Sequence, residues 1–190
     1  MVDHDSIHER GRALEEEYFR KKNRELVEKL QLEARSEQAR RDMGAQVGVD
    51  DPEMLRELQK LGFTPETVSL LPLVPVVQVA WADGDVASGE RDAIMNLART
   101  RGIAPGSAAH HQLQAWLADR PSPEVFSGAT RLIRAVLDSP GGEQRKMSAD
   151  ELVAYCESIA SASGGLFGMR SISPEERALL TSIASQLRKT

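Results

Sequence analysis

Helix-start signals recur along the chain after residue 50, and they constrain its fold more than any other feature of the sequence. In most of them, a residue that can cap a helix N-terminus is followed by Pro or Glu and then by apolar residues three and four positions apart. No segment shows the alternation of polar and apolar residues that a half-buried strand requires. The pattern predicts an all-α fold with six or seven helices after residue 50. The starts lie at Asp51-Pro52, Thr64-Pro65, Ala87 or Ser88, Ser107, Ser122-Pro123, Ser148 and Ser173-Pro174.

The composition agrees with a helical fold and excludes one class of partner. Aromatic residues make up 4% of the chain and charged residues 28%, so the residues that strands favour are scarce. The net charge is −5, and acidic and basic residues are interspersed. A nucleic-acid-binding protein needs a basic face that neutralises phosphates. Because no such face is apparent, we expect no nucleic acid partner.

Residues 1–43 are predicted to form a charged helical arm. From residue 6 onward this segment is rich in Glu, Arg, Lys, Gln and Leu, it contains no proline, and Gly11 is its one glycine. Its apolar residues form a stripe at helical spacing that is too narrow to be a full core face. The stripe is therefore a candidate partner-binding surface, and it consists of Leu14, Tyr18, Phe19, Leu26 and Leu30.

A break in the helical pattern separates this arm from a domain. Residues 44–63 are predicted to be a linker with one short helix, and residues 64–190 to be the helical domain. The apolar run at residues 70–82 is expected to lie in the core of that domain. Because Pro72 and Pro75 fall inside the run, we expect either two helices joined at a sharp turn or one kinked helix.

Several absences bear on chemistry and compartment. The single cysteine, Cys156, excludes an intramolecular disulfide, and its apolar neighbours predict a buried thiol. The first residues lack the basic start and apolar run of a signal peptide, and no stretch approaches the ~20 apolar residues of a membrane span. We therefore expect a cytoplasmic protein. No paired nucleophile and base, phosphate-binding loop or cysteine cluster is apparent, so we expect no enzymatic activity.

Two segments of the chain match when they are aligned with an offset of 86 residues. They are residues 86–94, VASGERDAI, and residues 172–180, ISPEERALL. In this alignment Glu90 corresponds to Glu176. Each segment follows a loop and opens a helix. The match predicts two related helical halves that are packed into one core.

Residues 80–90, AWADGDVASGE, resemble the signature of the TerB-like (tellurite-resistance) domain. That signature consists of an apolar helix, an ADG loop, a small apolar residue and a glutamate that starts the next helix. The resemblance extends over residues 64–187. It implies a compact all-α domain with pseudo-symmetric halves, a role in stress response, and a divalent-cation site formed by acidic residues at the loops. The chain departs from the family at Gly168-Met169-Arg170, which stands where a second acidic Asp-Gly would be expected.

Asp83, Asp85 and Glu90 have the spacing of the second half of an EF-hand calcium loop. Calcium requires about six to eight oxygen ligands, and apolar residues occupy the upstream positions that would supply the first of them. A true EF-hand is therefore excluded. The remaining hypothesis is a weaker site in which these three carboxylates and Glu176 bind calcium or magnesium.

The same residues also have a structural interpretation. Ser173 and Glu176 are spaced as a capping box, and Glu90 can cap its own helix from Ala87 in the same way. Asp83, which precedes a glycine, belongs to a common turn dipeptide. Capping and turn formation therefore remain an alternative to metal binding at these positions.

The leading functional hypothesis is a non-enzymatic accessory protein that recruits a protein partner through its N-terminal helix. An alternative follows from residues 9–26, ERGRALEEEYFRKKNREL, which resemble the N-terminal segment of the zeta inhibitor subunits of alphaproteobacterial ATP synthases. That resemblance implies an inhibitor or regulatory subunit of a rotary ATP synthase. A helix lying on a membrane is disfavoured because acidic residues crowd the arm, so contact with a membrane is expected only through a partner complex.

Overall fold

The prediction of an all-helical protein is confirmed. The computed structural model describes residues 3–138, 148–162 and 172–188, with side chains from residue 17 to residue 187, and this part of the chain contains helices and no strand. Seven α-helices follow residue 50 within it, in agreement with the six or seven expected. The elements are α1 (Asp3–Val47), α2 (Pro52–Lys60), a 3₁₀ helix (Val68–Leu73), α3 (Val74–Ala80), α4 (Ser88–Thr100), α5 (Ala108–Ala118), α6 (Pro123–Asp138), α7 (Ala149–Ala160) and α8 (Pro174–Arg188).

The boundary between two structural units falls within helix α1. The first unit is Met1–Ala39 and the second is Arg40–Thr190, so the boundary lies four residues before the predicted end of the arm at residue 43. Met43, within the second unit, is completely buried. The arm is therefore defined below as residues 1–39, and the domain as residues 40–190.

The segment predicted to be a linker, residues 44–63, contributes to the core of the domain. The side chains of Leu55 and Leu58 on α2 are buried, and so is that of Phe63. The Asp51 carboxylate caps α2 by accepting a hydrogen bond from the Glu53 amide at 2.8 Å. Residues 44–63 are thus a packed element of the domain.

The apolar run with two prolines forms two successive helices. Residues 65–67 form a turn rather than the expected first turn of an α-helix, and the 3₁₀ helix that starts at Val68 contains Pro72. Helix α3 then begins directly, with Pro75 in its first turn. Pro75 lies in the first turn of α3, where a missing amide proton costs no intrahelical hydrogen bond, whereas Pro72 lies inside the 3₁₀ helix and cannot donate there.

Helix α3 is the central element of the domain and packs against α4, α6, α7 and α8. Six of its seven residues are buried, as expected for a helix that is surrounded on all sides. The exception is Gln78, which is half-buried. The prediction that this apolar run forms part of the core is confirmed.

Cys156 on α7 is a free and fully buried cysteine, as predicted. Burial, together with the nearby charge of Glu157, raises the pKa of its thiol to about 12. The reactive thiolate form is therefore strongly disfavoured at neutral pH.

A helix that crosses a membrane needs about 20 predominantly apolar residues. Within residues 3–138, 148–162 and 172–188, no helix is both long enough and apolar enough to cross a bilayer.

Candidate functional site

The two aligned segments adopt equivalent local structures at the starts of α4 and α8. Glu90 and Glu176 are each 2% exposed. The Glu90 carboxylate accepts a hydrogen bond from the Ala87 amide at 2.9 Å, and the Glu176 carboxylate accepts one from the Ser173 amide at 2.6 Å. Both helices pack against α7. The internal repeat seen in the sequence therefore corresponds to a repeated buried glutamate that closes the start of a helix.

The two helix starts differ in the residue that precedes the helix. Ser173 completes a capping box, because its hydroxyl accepts a hydrogen bond from the Glu176 amide at 3.1 Å. Ala87 has no side-chain acceptor, so only the glutamate half of the box is present at the start of α4. The capping interpretation of both glutamates is confirmed.

Glu90 lies in a strongly unfavourable environment for a charge. Its pKa is raised to about 7, mainly by burial and further by the negative charges of Glu176, Asp83 and Asp85. The hydrogen bond from the Ala87 amide opposes this shift. All four predicted metal ligands therefore belong to one electrostatic neighbourhood, and Glu90 is the member that is close to protonation at neutral pH.

Asp83 and Asp85 lie in the turn before α4 and are exposed. The Asp85 carboxylate accepts a hydrogen bond from the Val86 amide at 2.9 Å, and the Asp83 carboxylate lies 3.5 Å from the amide nitrogen of Asp85. Gly84 between them has a φ of 99°, which other residues rarely adopt. These contacts shape the turn.

The carboxylates do not form a ready set of metal ligands. Across the described ranges, no group of three or more His, Cys, Asp or Glu side chains is arranged to hold a metal ion. Each of the four predicted ligands already accepts backbone hydrogen bonds or lies against a backbone amide in a cap or turn. Metal binding by Asp83, Asp85, Glu90 and Glu176 stays a prediction.

Two further residues position this acidic turn, and sequence reasoning did not identify their role. The indole nitrogen of Trp81 donates a hydrogen bond to the Trp116 carbonyl at 2.8 Å, and the Arg91 guanidinium donates one to the Leu117 carbonyl at 2.7 Å. Both carbonyls lie in the last turn of α5, where the helix itself provides no donor. Trp81 and Arg91 thus fasten the turn to the end of α5.

The internal repeat drew attention to Arg91, because Arg91 aligns with Arg177 in the two matched segments. The two arginines differ in their surroundings, because Arg91 is half-buried against α5 whereas Arg177 is exposed. The sequence match alone could not distinguish them.

The predicted partner-binding stripe is exposed in the structure of the arm. Tyr18, Phe19, Leu26 and Leu30 are 57%, 61%, 54% and 54% exposed. The Tyr18 and Phe19 rings contact each other edge to face, with centroids 5.8 Å apart. The fifth predicted residue, Leu14, lies among the residues whose side chains the structure does not describe.

Comparison with known proteins identified no relative of this chain. No protein-family model, no curated protein and no solved structure matches the chain. The resemblances to the TerB-like domain and to the zeta inhibitor subunits therefore stay predictions.

Proposed function

We propose that the chain is a non-enzymatic accessory protein with a TerB-like helical domain, and that its N-terminal helix recruits a protein partner. One observation carries this proposal. In the part of the chain with described side chains, all exposed large apolar residues lie on α1 between residues 18 and 32. Exposed apolar residues that cluster on one element are typical of an interaction site rather than of an ordinary surface.

The geometry of α1 selects three of these residues as the centre of the surface. Phe19, Leu26 and Leu30 are seven and four positions apart, so they project from the same face of the helix. Leu32 is equally apolar and 70% exposed, but its helical position places it on the opposite face. A stripe of this width fits the mode of recognition in which an amphipathic helix lies in an apolar groove of its partner.

The charges beside the stripe describe the partner further. Four of the five residues from 20 to 24 are basic, and they are Arg20, Lys21, Lys22 and Arg24. The Lys22 ammonium lies 5.8 Å from the centre of the Tyr18 ring. Charge complementarity then favours a groove whose rim is acidic beside residues 20–24.

Replacing three residues of the stripe, Phe19, Leu26 and Leu30, should abolish capture of the partner. Burying a Leu or Phe side chain stabilises a complex by about 1.5–3 kcal/mol, so the triple variant Phe19→Ala, Leu26→Ala and Leu30→Ala should weaken binding by at least about 100-fold. Alanine preserves helix propensity, so the arm should remain helical. The measurement is quantitative affinity capture with the full-length chain, followed by titration of the recovered partner.

Leu32→Ala is the matched control, because it removes an equally large apolar side chain from the other face of the same helix. It should retain binding. Equal loss in the Leu32 variant, or full retention in the triple variant, would contradict a partner-binding role of the stripe. Recovery of subunits of a rotary ATP synthase, dependent on Phe19, Leu26 and Leu30, would favour the inhibitor-subunit alternative.

The second part of the proposal is weak binding of calcium or magnesium at Asp83, Asp85, Glu90 and Glu176. A cation would relieve the mutual repulsion that contributes to the raised pKa of Glu90. Binding of the cation requires Glu90 to be ionised, so the affinity for the cation should be higher above about pH 7 than below it. We expect an ion concentration of about ten times the dissociation constant to stabilise the domain by about 1.4 kcal/mol at about pH 8.

Thermal unfolding with increasing calcium or magnesium measures this effect. The double variant Asp83→Asn and Asp85→Asn should keep the fold and lose the response, because amides preserve the turn but remove the charge that a hard cation requires. An unchanged melting temperature of the wild type at millimolar metal and about pH 8 would show that the four carboxylates are only cap and turn residues.

A further inference from the structure

A cavity of ≈ 210 Å³ opens between α3, α6 and α8 and is separate from the acidic turn. Its wall combines apolar, amide and hydroxyl side chains with one guanidinium. At roughly 30 Å³ per liquid water, its volume equals about seven waters, which is the size of a small organic molecule. The lining residues are Gln78, Arg120, Pro123, Phe126, Ser127, Thr130, Leu179, Ser182, Ile183 and Gln186.

Gln78 provides the first indication that the cavity binds a ligand. It is the single polar residue of α3, the helix that four others surround. Within the described ranges, its side-chain amide makes no hydrogen bond to the protein, and it is only half-buried because it reaches the cavity. Because Gln78 reaches the cavity, its amide can exchange a hydrogen bond with water for one with a bound ligand.

The charge of the cavity indicates the class of ligand. Arg120 is exposed at its edge, and none of the described residues that line the wall is acidic. Two arginines of α6 differ from Arg120, because Arg131 contacts Glu57 and Arg134 contacts Asp138. In the described part of the chain Arg120 forms no such ion pair. A guanidinium with five donors and no ion-pair partner is suited to a carboxylate.

Three large apolar side chains form part of the remaining wall, beside its amide and hydroxyl groups. Phe126 and Ile183 are buried, and Leu179 is half-buried beside them. The hydroxyl of Thr130 donates to the Phe126 carbonyl at 3.0 Å, so its proton is already used within α6. These side chains suit a short aliphatic group and provide no second charge.

We propose that this cavity binds a small aliphatic carboxylate, with its carboxylate group at Arg120 and its apolar group against Phe126, Leu179 and Ile183. The same chemistry is present in a free carboxylic acid and in the C-terminal residue of a protein chain. Ligand binding in this cavity is independent of the partner-binding role of the arm, since it uses only residues of the domain.

The test is a titration of the isotopically labelled full-length chain, followed by the backbone amide signals. The probes are 4-methylpentanoate, its neutral analogue 4-methylpentanamide, and the tripeptide Gly-Gly-Leu with a free C-terminus. We expect saturable shifts of amides in residues 124–130 and 179–186 with 4-methylpentanoate or the tripeptide, and binding of the neutral amide that is weaker by at least about tenfold. The tighter of the two carboxylates identifies the source of the ligand.

Arg120→Gln should weaken carboxylate binding by about tenfold and remove the preference over the amide, without a change in melting temperature, because the side chain is exposed. Arg99→Gln is the matched control, since it removes an exposed arginine of α4 that is not part of the cavity. Two results would overturn the proposal. They are the absence of saturable shifts with both carboxylates, and equal affinity of the Arg120 variant, the Arg99 variant and the wild type.

Discussion

A chain that lacks residues 1–39 should unfold at nearly the same denaturant concentration as the full-length protein, whereas one that lacks residues 1–43 should be markedly less stable. The second truncation removes Met43, whose side chain is completely buried. Loss of a buried Met costs about 2–5 kcal/mol. The truncation of residues 1–43 also removes Arg40, whose guanidinium donates a hydrogen bond to the Gln59 side chain at 3.1 Å. Urea unfolding of the three chains measures the difference.

A point variant separates the side chain from the effect of truncation. Met43→Ala in the full-length chain should lose about 2–4 kcal/mol, because the cavity left behind can collapse only in part. Leu32→Ala is the control on the same helix, and it should change stability by less than about 0.5 kcal/mol because Leu32 is 70% exposed. If the truncation of residues 1–39 were as destabilising as that of residues 1–43, the arm would belong to the folding unit of the domain.

Glu90→Gln should stabilise the protein by about 2 kcal/mol at about pH 8 and have little effect at about pH 5. The pKa of Glu90 is about 7 in the folded state, above its ordinary value of 4.5. The folded state therefore holds the proton more tightly than the unfolded state does. This contribution to stability is complete below the unfolded pKa and is lost as the pH rises through about 7. The amide of glutamine keeps the oxygen that accepts the Ala87 hydrogen bond, but it carries no charge.

Denaturant unfolding at a series of pH values measures this effect. Glu151→Gln is the matched control, because Glu151 accepts the equivalent capping hydrogen bond from the Ser148 amide at 3.0 Å but is exposed. Its replacement should leave the pH dependence unchanged. Glu176→Gln should give a smaller gain at about pH 8, because it removes part of the repulsion on Glu90. A Glu90→Gln variant with the pH dependence of the wild type would show that Glu90 does not titrate in this range.

The sequence by itself determined the fold class, the number of helices and most of their starts. Capping depends on residues within about four positions of each other, so Asp51, Ser148 and the Ser173-Glu176 pair could be read from the sequence and lie at helix starts in the structure. The repeat likewise predicted that Glu90 and Glu176 occupy equivalent positions. Thr64 was the exception, since a turn at residues 65–67 and a 3₁₀ helix that contains Pro72 follow it in place of the expected α-helix.

The tertiary structure decided which apolar and polar residues lose contact with water. Met43 and Leu30 both lie on α1, yet one is completely buried and the other 54% exposed. Periodicity identifies the apolar face of a helix but not the element that covers it. For the same reason the sequence did not reveal the raised pKa of Glu90, the hydrogen bonds of Trp81 and Arg91 to the end of α5, or the cavity at Gln78. Each of these depends on contacts between residues that are distant in the chain. The raised pKa of Glu90, for example, results from desolvation and charge repulsion that act across packed helices.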